Sequence, residues 1–351
     1  MKSKKLSENI LKAVKSRGYK YIELDAVIDA DQIIQRSGEN FRQYMFSFQD
    51  HNGKEMCLRP DLTIASCLRY LKNKTKGKEK VFYSGQAFRK VKDQKGKIIR
   101  NQVGYEIIGS KSIKQDDYEI IQTSLKTIQK IKKSRLKIEI GNIKLFNLLL
   151  NKLKLPKRWK LRLSRHFWRE KYFESLLKRL ETNSDIDPLA VAVDKKRYIK
   201  MKLENQNQMI AGRKVSEILN RFNNKIKDPR KFEEGKKTSS IIREYLKISC
   251  SINNARKKLD NFFYKHKIKI DLKDEFFPIK NQFGKNKIIF STNYGRELEY
   301  YTGMVFNIKD HSNVNLIQGG RYDNLLFLNT FKTSFLNLPL LGTPILICIR
   351  I

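Results

Sequence analysis

The sequence of 351 residues is 40% hydrophobic and contains 20 Phe and 15 Tyr, so the chain can bury a large core and is not intrinsically disordered. Its four cysteines lack CxxC spacing and its four histidines are scattered, which argues against a metal site. The net charge of +38 suggests nucleic acid or an anionic membrane first. The lysines are spread along the whole chain, however, which favours a diffuse compositional bias over a dedicated polyanion site.

The sequence predicts neither export nor membrane insertion. The stretch MKSKKLSENILKAVKSRG lacks an apolar signal core, and no run of about 18 apolar residues is present. Together with the free thiols, these features predict a cytoplasmic protein.

The first half of the sequence predicts helices that alternate with paired strands. Apolar residues at helical spacing predict a helix at about 6–14, and YKYIEL predicts a strand. In QYMFSFQDHNGKEMCLRP, the Asn52-Gly53 pair predicts a hairpin with a two-residue turn. The later elements are a helix at about 62–73, two strands around the polar turn KDQKGK, a helix at 115–133 and a strand at 136–141.

The second half of the sequence predicts a long helical region followed by further strands. Charge-rich helical patterns run from about 143 to 235, and another long helical pattern covers about 237–266. Strand patterns resume in KIIFST, continue through LEYYTGMVFNI and include GGRYDNLL. This order indicates an α+β fold, in which an antiparallel sheet is interrupted by a helical insertion at about 143–235.

Three segments in the first third of the chain carry polar residues in suggestive positions. In QVGYEIIG, Gln102, Gly104 and Glu106 share one face of a strand, which fits either a ligand cavity or a polar surface strand. In LRPDLT, Asp61 can cap the following helix or bind a ligand ammonium group. Arg89, in GQAFRK, can meet a carboxylate or a phosphate with two hydrogen bonds.

Two further segments come late in the chain. RELEYYTG contains a fixed cation, two carboxylates and two phenols, which fits a solvated strand edge or a pocket for a small zwitterion. GGRYD places Arg321 next to two glycines that allow close backbone approach. Each segment alone has an ordinary structural explanation.

Taken in order, LRPDLT, FR, QVGYE, RELEYYTG and GGRYD make the chain resemble the family of histidyl-tRNA synthetase and its non-synthetase paralogue, the regulatory subunit of ATP phosphoribosyltransferase. The resemblance covers about 20–110 and 287–326. It implies a class II aminoacyl-tRNA synthetase-like core over 1–351, with an antiparallel sheet flanked by helices and usually dimeric through the first motif.

The resemblance also implies a histidine pocket and no catalytic residue, cofactor or metal. The residues that correspond to those around the α-amino group and the imidazole are Asp61, Thr63, Gln102 and Glu106. The motif 2 arginine corresponds to Arg89, and the arginine facing the substrate carboxylate corresponds to Arg296. The paired tyrosines near the ring correspond to Tyr300 and Tyr301.

Departures from the synthetase pattern favour the regulatory branch. FRKV lacks the acidic residue that usually follows the motif 2 arginine, and IIRNQ replaces Arg-x-Phe-His-Gln. In LLGTPILICIRI, Arg350 is displaced by one position from an ATP-binding arginine, and we expect no anticodon-binding domain. The segment PKRWKLRLSRHFWREKYFESLLKRL resembles the insertion of regulatory subunits. Arg296 is the feature that favours catalysis.

The regulatory branch implies a definite set of partners. The chain is expected to pair with the short-form catalytic subunit of ATP phosphoribosyltransferase, which carries out the first step of L-histidine biosynthesis, and to bind L-histidine as feedback effector. It is also expected to form self-dimers within a hetero-oligomer. No membrane or nucleic-acid partner is expected. Two alternatives stay open: a histidyl-tRNA synthetase-like enzyme that forms histidyl-adenylate, and an RNA-binding module that uses the charge of +38.

Overall fold

A computed structural model describes most of the chain. The described residues are 2–37, 39–74, 77–90, 98–131, 135–182, 196, 199–200, 209–210, 213–217, 219–220, 231–272, 287–296, 301–326 and 343–350. Two compact units are present: Met1–Leu145, Ser249–Leu259 and Asp271–Ile351 form the first, and Phe146–Ile248 and Asp260–Ile270 form the second. In sequence, the insertion expected at about 143–235 lies mostly within the second unit, which also takes in later residues.

The first unit is built on a nine-stranded mixed sheet. Its strands, in spatial order, are β1 (Lys20–Tyr21), β5 (Glu79–Phe88), β6 (Ile99–Ser110), β14 (Thr343–Arg350), β13 (Asn315–Arg321), β12 (Met304–Lys309), β7 (Lys137–Asn142), β11 (Lys287–Ser291) and β10 (Ser249–Ser251). Among the described strands of this sheet, the β1–β5 and β7–β11 pairs are parallel and the other pairs are antiparallel. The predicted pair of strands around KDQKGK is confirmed as β5 and β6.

Helices pack on both faces of this sheet. They include α1 (Lys2–Lys15), α3 (Leu62–Lys72) and α4 (Ile113–Ile131). The unit also contains α2 (Ala30–Ser37), which packs on the smaller, three-stranded sheet, and 3₁₀ helices at Glu39–Tyr44 and Asp323–Leu326. On one face, Tyr105 of β6 donates to Ser124 Oγ of α4 at 2.7 Å. On the other, Gln102 of β6 accepts from the N-terminus of α3. Because strand side chains alternate, β6 sends its polar residues toward α3 and its aromatic residue toward α4.

A three-stranded sheet contains β2 (Val27–Asp29), β4 (Glu55–Leu58) and β3 (Ser47–Gln49), in that spatial order. The hairpin of β3 and β4 is confirmed, but its predicted two-residue turn is wrong. Gln49 pairs with Glu55, so the loop spans 50–54. Asp50 Oδ1 accepts from the backbone N–H groups of Asn52 and Lys54 at 2.8 and 2.9 Å, and this side-chain bonding builds the longer loop.

The second unit is mainly helical where the structure describes it. Its elements include α5 (Ile143–Lys152), which begins in the first unit, α6 (Lys157–Arg165), α7 (Glu170–Leu180), α8 (Phe232–Leu246), and the short pair β8 (Met209–Ile210) and β9 (Arg213–Lys214). Phe146 stacks on Phe167 with ring centroids 3.8 Å apart, and Phe173 packs edge-on against Phe146 at 5.6 Å. These buried aromatic residues contribute to the core of the unit.

Two other strand and helix predictions need correction. The helical pattern at about 237–266 is not one helix, because β10 separates α8 from α9 (Ile252–Lys265). The strand expected through LEYYTGMVFNI begins only at Met304, and residues 297–300 lie outside the described part. No helix in the described ranges is long and apolar enough to cross a bilayer.

Candidate functional site

The N-terminus of α3 presents the first group of predicted site residues. Asp61 is the N-cap, and its Oδ1 accepts from the backbone N–H groups of Thr63 and Ile64 at 2.8 and 3.4 Å. Its second oxygen, Oδ2, accepts from Arg89 Nη2 at 2.9 Å. One buried carboxylate therefore starts the helix and pairs with a cation at the same time.

Arg89 is held on three sides. Besides the bond to Asp61, its Nε donates to the carbonyl oxygen of Pro60 at 2.7 Å, and its guanidinium carbon lies 5.3 Å from the centroid of the Phe41 ring. Such contacts reduce the freedom of the long side chain and fix its direction. The structure thus brings Asp61 and Arg89 together, with opposite charges side by side at the start of α3.

The facing strand β6 supplies the second group. Gln102 Oε1 accepts from the backbone N–H of Leu62 at 3.3 Å. Glu106, four residues later on the same face of β6, is completely buried, and its Oε1 accepts from Tyr83 Oη at 2.6 Å. The hydroxyls of Ser66 and Tyr322 also favour the charged form of this carboxylate. Asp61, Gln102 and Glu106 therefore meet between α3 and β6.

Burial dominates the electrostatics of Glu106. It raises the pKa of Glu106 from 4.5 to about 8, against the hydrogen bond from Tyr83 and the nearby hydroxyls of Ser66 and Tyr322, which lower it. All three are neutral donors, so none of them compensates for the loss of hydration as a cation would. A ligand cation or an imidazole would supply that missing partner.

Several polar atoms in this region have no hydrogen-bond partner in regular geometry among the described residues. They are Thr63 Oγ1, Ser66 Oγ and Glu106 Oε2, all buried. Buried polar atoms in proteins are nearly always satisfied, and the Ser66 hydroxyl lies near Glu106. These atoms therefore form a polar interior between α3 and β6 that is compatible with a polar ligand.

The space above Gly104 is filled by the protein. A Cβ atom built on Gly104 would lie 2.4 Å from the ring of Tyr83, its partner across β5 and β6. Of the two interpretations left open for this segment, the structure excludes a cavity directly over Gly104, because the Tyr83 ring occupies that space and carries the hydroxyl that reaches Glu106. It also excludes a polar surface strand, because Gln102 and Glu106 are buried. The pairing of a strand glycine with an aromatic residue on the adjacent strand is typical of such close packing.

The remaining predicted residues come from two later segments. Arg296 is buried in the turn after β11, where its Nη1 donates to Asn293 Oδ1 at 2.8 Å. Tyr301 packs against the core cluster that contains Tyr322, and Tyr322 lies beside Glu106. Tyr300 falls outside the described residues. Ligand contacts by Arg296, Tyr300 and Tyr301 stay predictions.

Sequence reasoning missed Tyr83, Ser66 and Tyr322 as neighbours of Glu106. Ser66 was accessible in principle, because it lies one helical turn after Thr63 and so shares its face. Tyr83 and Tyr322 meet Glu106 only through sheet pairing and tertiary packing. Among the described residues, no group of three or more His, Cys, Asp or Glu side chains is arranged to hold a metal ion.

Comparison with known proteins identifies relatives that align with most of the chain. A family model described as histidyl-tRNA synthetase matches residues 1–331. The ATP phosphoribosyltransferase regulatory subunit of Brucella canis is 27% identical over 332 residues, covering 89% of this chain and 88% of the relative. The protein of the same name from Brucella anthropi is 26% identical over 346 residues, covering 92% and 90%.

Solved structures give the same fold. A protein from Bacillus halodurans, described as an ATP phosphoribosyltransferase regulatory subunit/histidyl-tRNA synthetase, superposes with a TM-score of 0.55 at 18% identity, covering 99% of this chain and 76% of that one. A histidine–tRNA ligase subunit from Alicyclobacillus acidocaldarius gives 0.53 at 17% identity, covering 99% and 89%. The expected α+β, class II aminoacyl-tRNA synthetase-like fold is confirmed.

Proposed function

The chain belongs to the histidyl-tRNA synthetase family, and within it we propose that this chain is a non-catalytic regulatory subunit of ATP phosphoribosyltransferase that binds L-histidine. The observation that carries the proposal is the alignment with proteins of that name over 89% of the chain and 88% of the relative. An alignment of this extent includes both the sheet segments and the insertion.

The polar residues between α3 and β6 support histidine as the ligand. Histidine offers an ammonium group, a carboxylate and an imidazole. Asp61 and Gln102 are suited to the ammonium group, and Glu106 to the imidazole, since carboxylate and amide oxygens accept from N–H donors. Arg89 and Arg296 provide the two cations for the carboxylate.

In this proposal the chain senses the end product for a separate catalytic subunit. The partner is the short-form ATP phosphoribosyltransferase, which carries out the first step of L-histidine biosynthesis in the cytoplasm, in a hetero-oligomer that also contains self-dimers of this chain. Feedback inhibition requires histidine to bind the inactive assembly more tightly than the active one, with a coupling free energy of about 1–3 kcal/mol.

One observation favours a second candidate, an enzyme that forms histidyl-adenylate. Arg296 is retained and buried, as a residue facing the reacting carboxylate would be. Adenylate formation also needs ATP placed in line and stabilised by metal and arginines. The segments FRKV and IIRNQ depart from the family's sequence pattern on the expected ATP side of the site. Histidine-dependent ATP–pyrophosphate exchange separates the two candidates, because robust exchange contradicts the regulatory proposal.

The direct test is phosphoribosyl-ATP formation by the short-form catalytic subunit, with and without this chain, across a histidine titration. Activity that depends on the chain and falls with histidine supports the whole proposal. Activation without sensitivity to histidine keeps the partner and rejects the histidine site. Absence of activation rejects the regulatory role.

A further inference from the structure

A buried arginine outside the predicted histidine pocket connects two elements of the first unit. Arg321, at the end of β13, donates through Nη2 to Asp117 Oδ1 of α4 at 2.5 Å and to the carbonyl oxygen of Ile113 at 3.1 Å. Its Nη1 donates to Asp323 Oδ1 at 3.3 Å. The guanidinium is thus paired with two carboxylates, which a buried cation requires.

Asp323 passes this connection on to the segment just before β12. Its Oδ2 accepts from Thr302 Oγ1 at 3.2 Å, and its backbone N–H donates to the same hydroxyl at 3.0 Å. The backbone N–H of Thr302 donates to the carbonyl oxygen of Arg321 at 2.8 Å. Side chain and backbone together hold Thr302 against 321–323.

Two glycines let these segments lie in close contact. A Cβ atom on Gly303 would be 2.8 Å from Arg321 Cδ, and one on Gly320 would be 2.8 Å from Tyr301 Cε1. The stem of Arg321 therefore lies over the first segment, while the ring of Tyr301 lies over the second. This reciprocal packing leaves little room for either segment to shift alone.

The two segments carry tyrosines that lead to the candidate site. Tyr322, between Arg321 and Asp323 in the chain, is completely buried with its hydroxyl beside Glu106. Burial raises the pKa of Tyr322 well above its ordinary value, so the hydroxyl stays protonated. Tyr301 immediately precedes Thr302 and packs against the cluster that contains Tyr322.

We propose that Arg321, Asp117, Asp323 and Thr302 form a positioning network for the histidine site, which holds Tyr322 against Glu106 and Tyr301 beside it. None of the four is assigned a contact with the ligand, and their effect passes through the two tyrosines. The identity of the ligand rests on the proposed function, whereas the link from the network to Glu106 does not.

Thr302 offers the sharpest test, because one substitution removes the hydroxyl at nearly constant size and another removes the methyl group but keeps the hydroxyl. Thr302→Val removes the hydroxyl, and Thr302→Ser retains it. On the full-length chain, calorimetry measures the Kd for histidine, and thermal unfolding measures the fold. Carbon-13 NMR of the Glu106 carboxyl, assigned with Glu106→Gln, measures its titration midpoint without histidine.

For Thr302→Val we expect histidine to bind about three- to tenfold more weakly, as for the loss of one hydrogen bond. The Glu106 midpoint should rise, because the Tyr322 hydroxyl lowers the pKa of Glu106 in the intact chain. Thr302→Ser should restore the wild-type Kd and midpoint. Arg321→Lys, which keeps the charge but loses the planar fork, should act in the same direction as Thr302→Val.

The outcomes separate this inference from the proposed function. If Thr302→Val lowers the unfolding temperature but leaves the Kd and the Glu106 midpoint unchanged, the network is only structural and the inference is wrong. If the wild-type chain does not bind histidine, the proposed function fails. The Glu106 midpoints of Thr302→Val and Thr302→Ser then still decide whether the network positions Tyr322.

Discussion

Tyr83 donates a 2.6 Å hydrogen bond to Glu106 across neighbouring strands, and its ring fills the space above Gly104. The donor that reaches the buried carboxylate is therefore a neutral phenol from the same sheet. Since a neutral donor only partly offsets burial, the pKa of Glu106 rises to about 8. This single relationship determines how the candidate site should respond to pH.

Histidine affinity should be highest between about pH 6.5 and pH 8. The proposed complex holds one proton between Glu106 and the imidazole. In this pH range the free partners together carry the same single proton, because Glu106 is protonated and the imidazole is neutral, so binding neither takes up nor releases a proton. Below about pH 6.5 the imidazole must lose a proton to bind, and above about pH 8 Glu106 must gain one, so affinity falls about tenfold per pH unit on each side. Calorimetry from pH 5.5 to 9 measures this. A maximum at pH 4.5–6.5 would mean that Glu106 titrates at its ordinary value.

Glu106→Gln should stabilise the chain at alkaline pH while weakening histidine binding. The folded pKa of about 8 exceeds the ordinary value of 4.5, so the wild-type free energy of unfolding falls as pH rises from 4.5 to 8. The amide has no such dependence, and its advantage should reach the order of a few kcal/mol at pH 8.5. Urea unfolding at pH 4.5 and 8.5 measures it, with the lower pH as the control. Histidine should bind more weakly by roughly 1.5–3 kcal/mol, for loss of a charge-assisted bond.

Substitutions at Asp61 should separate helix capping from ligand binding. Asp61→Ala removes the acceptor for the N–H groups of Thr63 and Ile64 and the ion pair with Arg89, so it should destabilise the chain by more than the roughly 1 kcal/mol of a lost helix cap. Asp61→Asn keeps an acceptor oxygen for the helix cap but, like Asp61→Ala, removes the charge that pairs with Arg89, so it should destabilise the chain less than Asp61→Ala does. Both variants should weaken histidine binding, because both remove the carboxylate proposed for the ammonium group. Normal binding by Asp61→Asn would remove Asp61 from the site.

Gly104→Ala should destabilise the chain through Tyr83. The added Cβ would lie 2.4 Å from the ring, and overpacking of this kind typically costs about 1–3 kcal/mol. In a Tyr83→Ala background the same substitution should be much less harmful, because the colliding ring is absent. A double-mutant cycle by chemical denaturation measures this coupling. Additive effects would show that the ring moves aside without loss.

Local signals made much of the fold around the site predictable. Asp61 before an apolar periodic run predicted α3, and the two alternating runs around KDQKGK predicted β5 and β6. Alternation also placed Gln102 and Glu106 on the same face of β6, where the structure has them facing α3. These features depend on neighbours within a few residues, which sequence patterns record directly.

The missed features depend on side chains that bond outside the repeating pattern. Asp50 captures two backbone N–H groups and lengthens the loop at Asn52-Gly53. Thr302 bonds to Asp323, twenty-one positions later, whereas the sequence predicted that it would be part of the strand that begins at Met304. Tyr83 and Glu106 are likewise twenty-three positions apart. Periodicity gives no signal for such pairs, since tertiary packing selects them.

The position of β14 affects how the protein is made. It pairs with β6 on one side and β13 on the other, so in the finished sheet it joins the strand of Glu106 to the strand that leads into Tyr322. During synthesis both of those strands leave the ribosome before β14 does, and each has an unpaired edge until it arrives. Exposed edges invite pairing with other chains. The nascent chain therefore has its period of greatest aggregation risk just before β14 joins the sheet, and completion of the candidate site and loss of that risk occur in the same step.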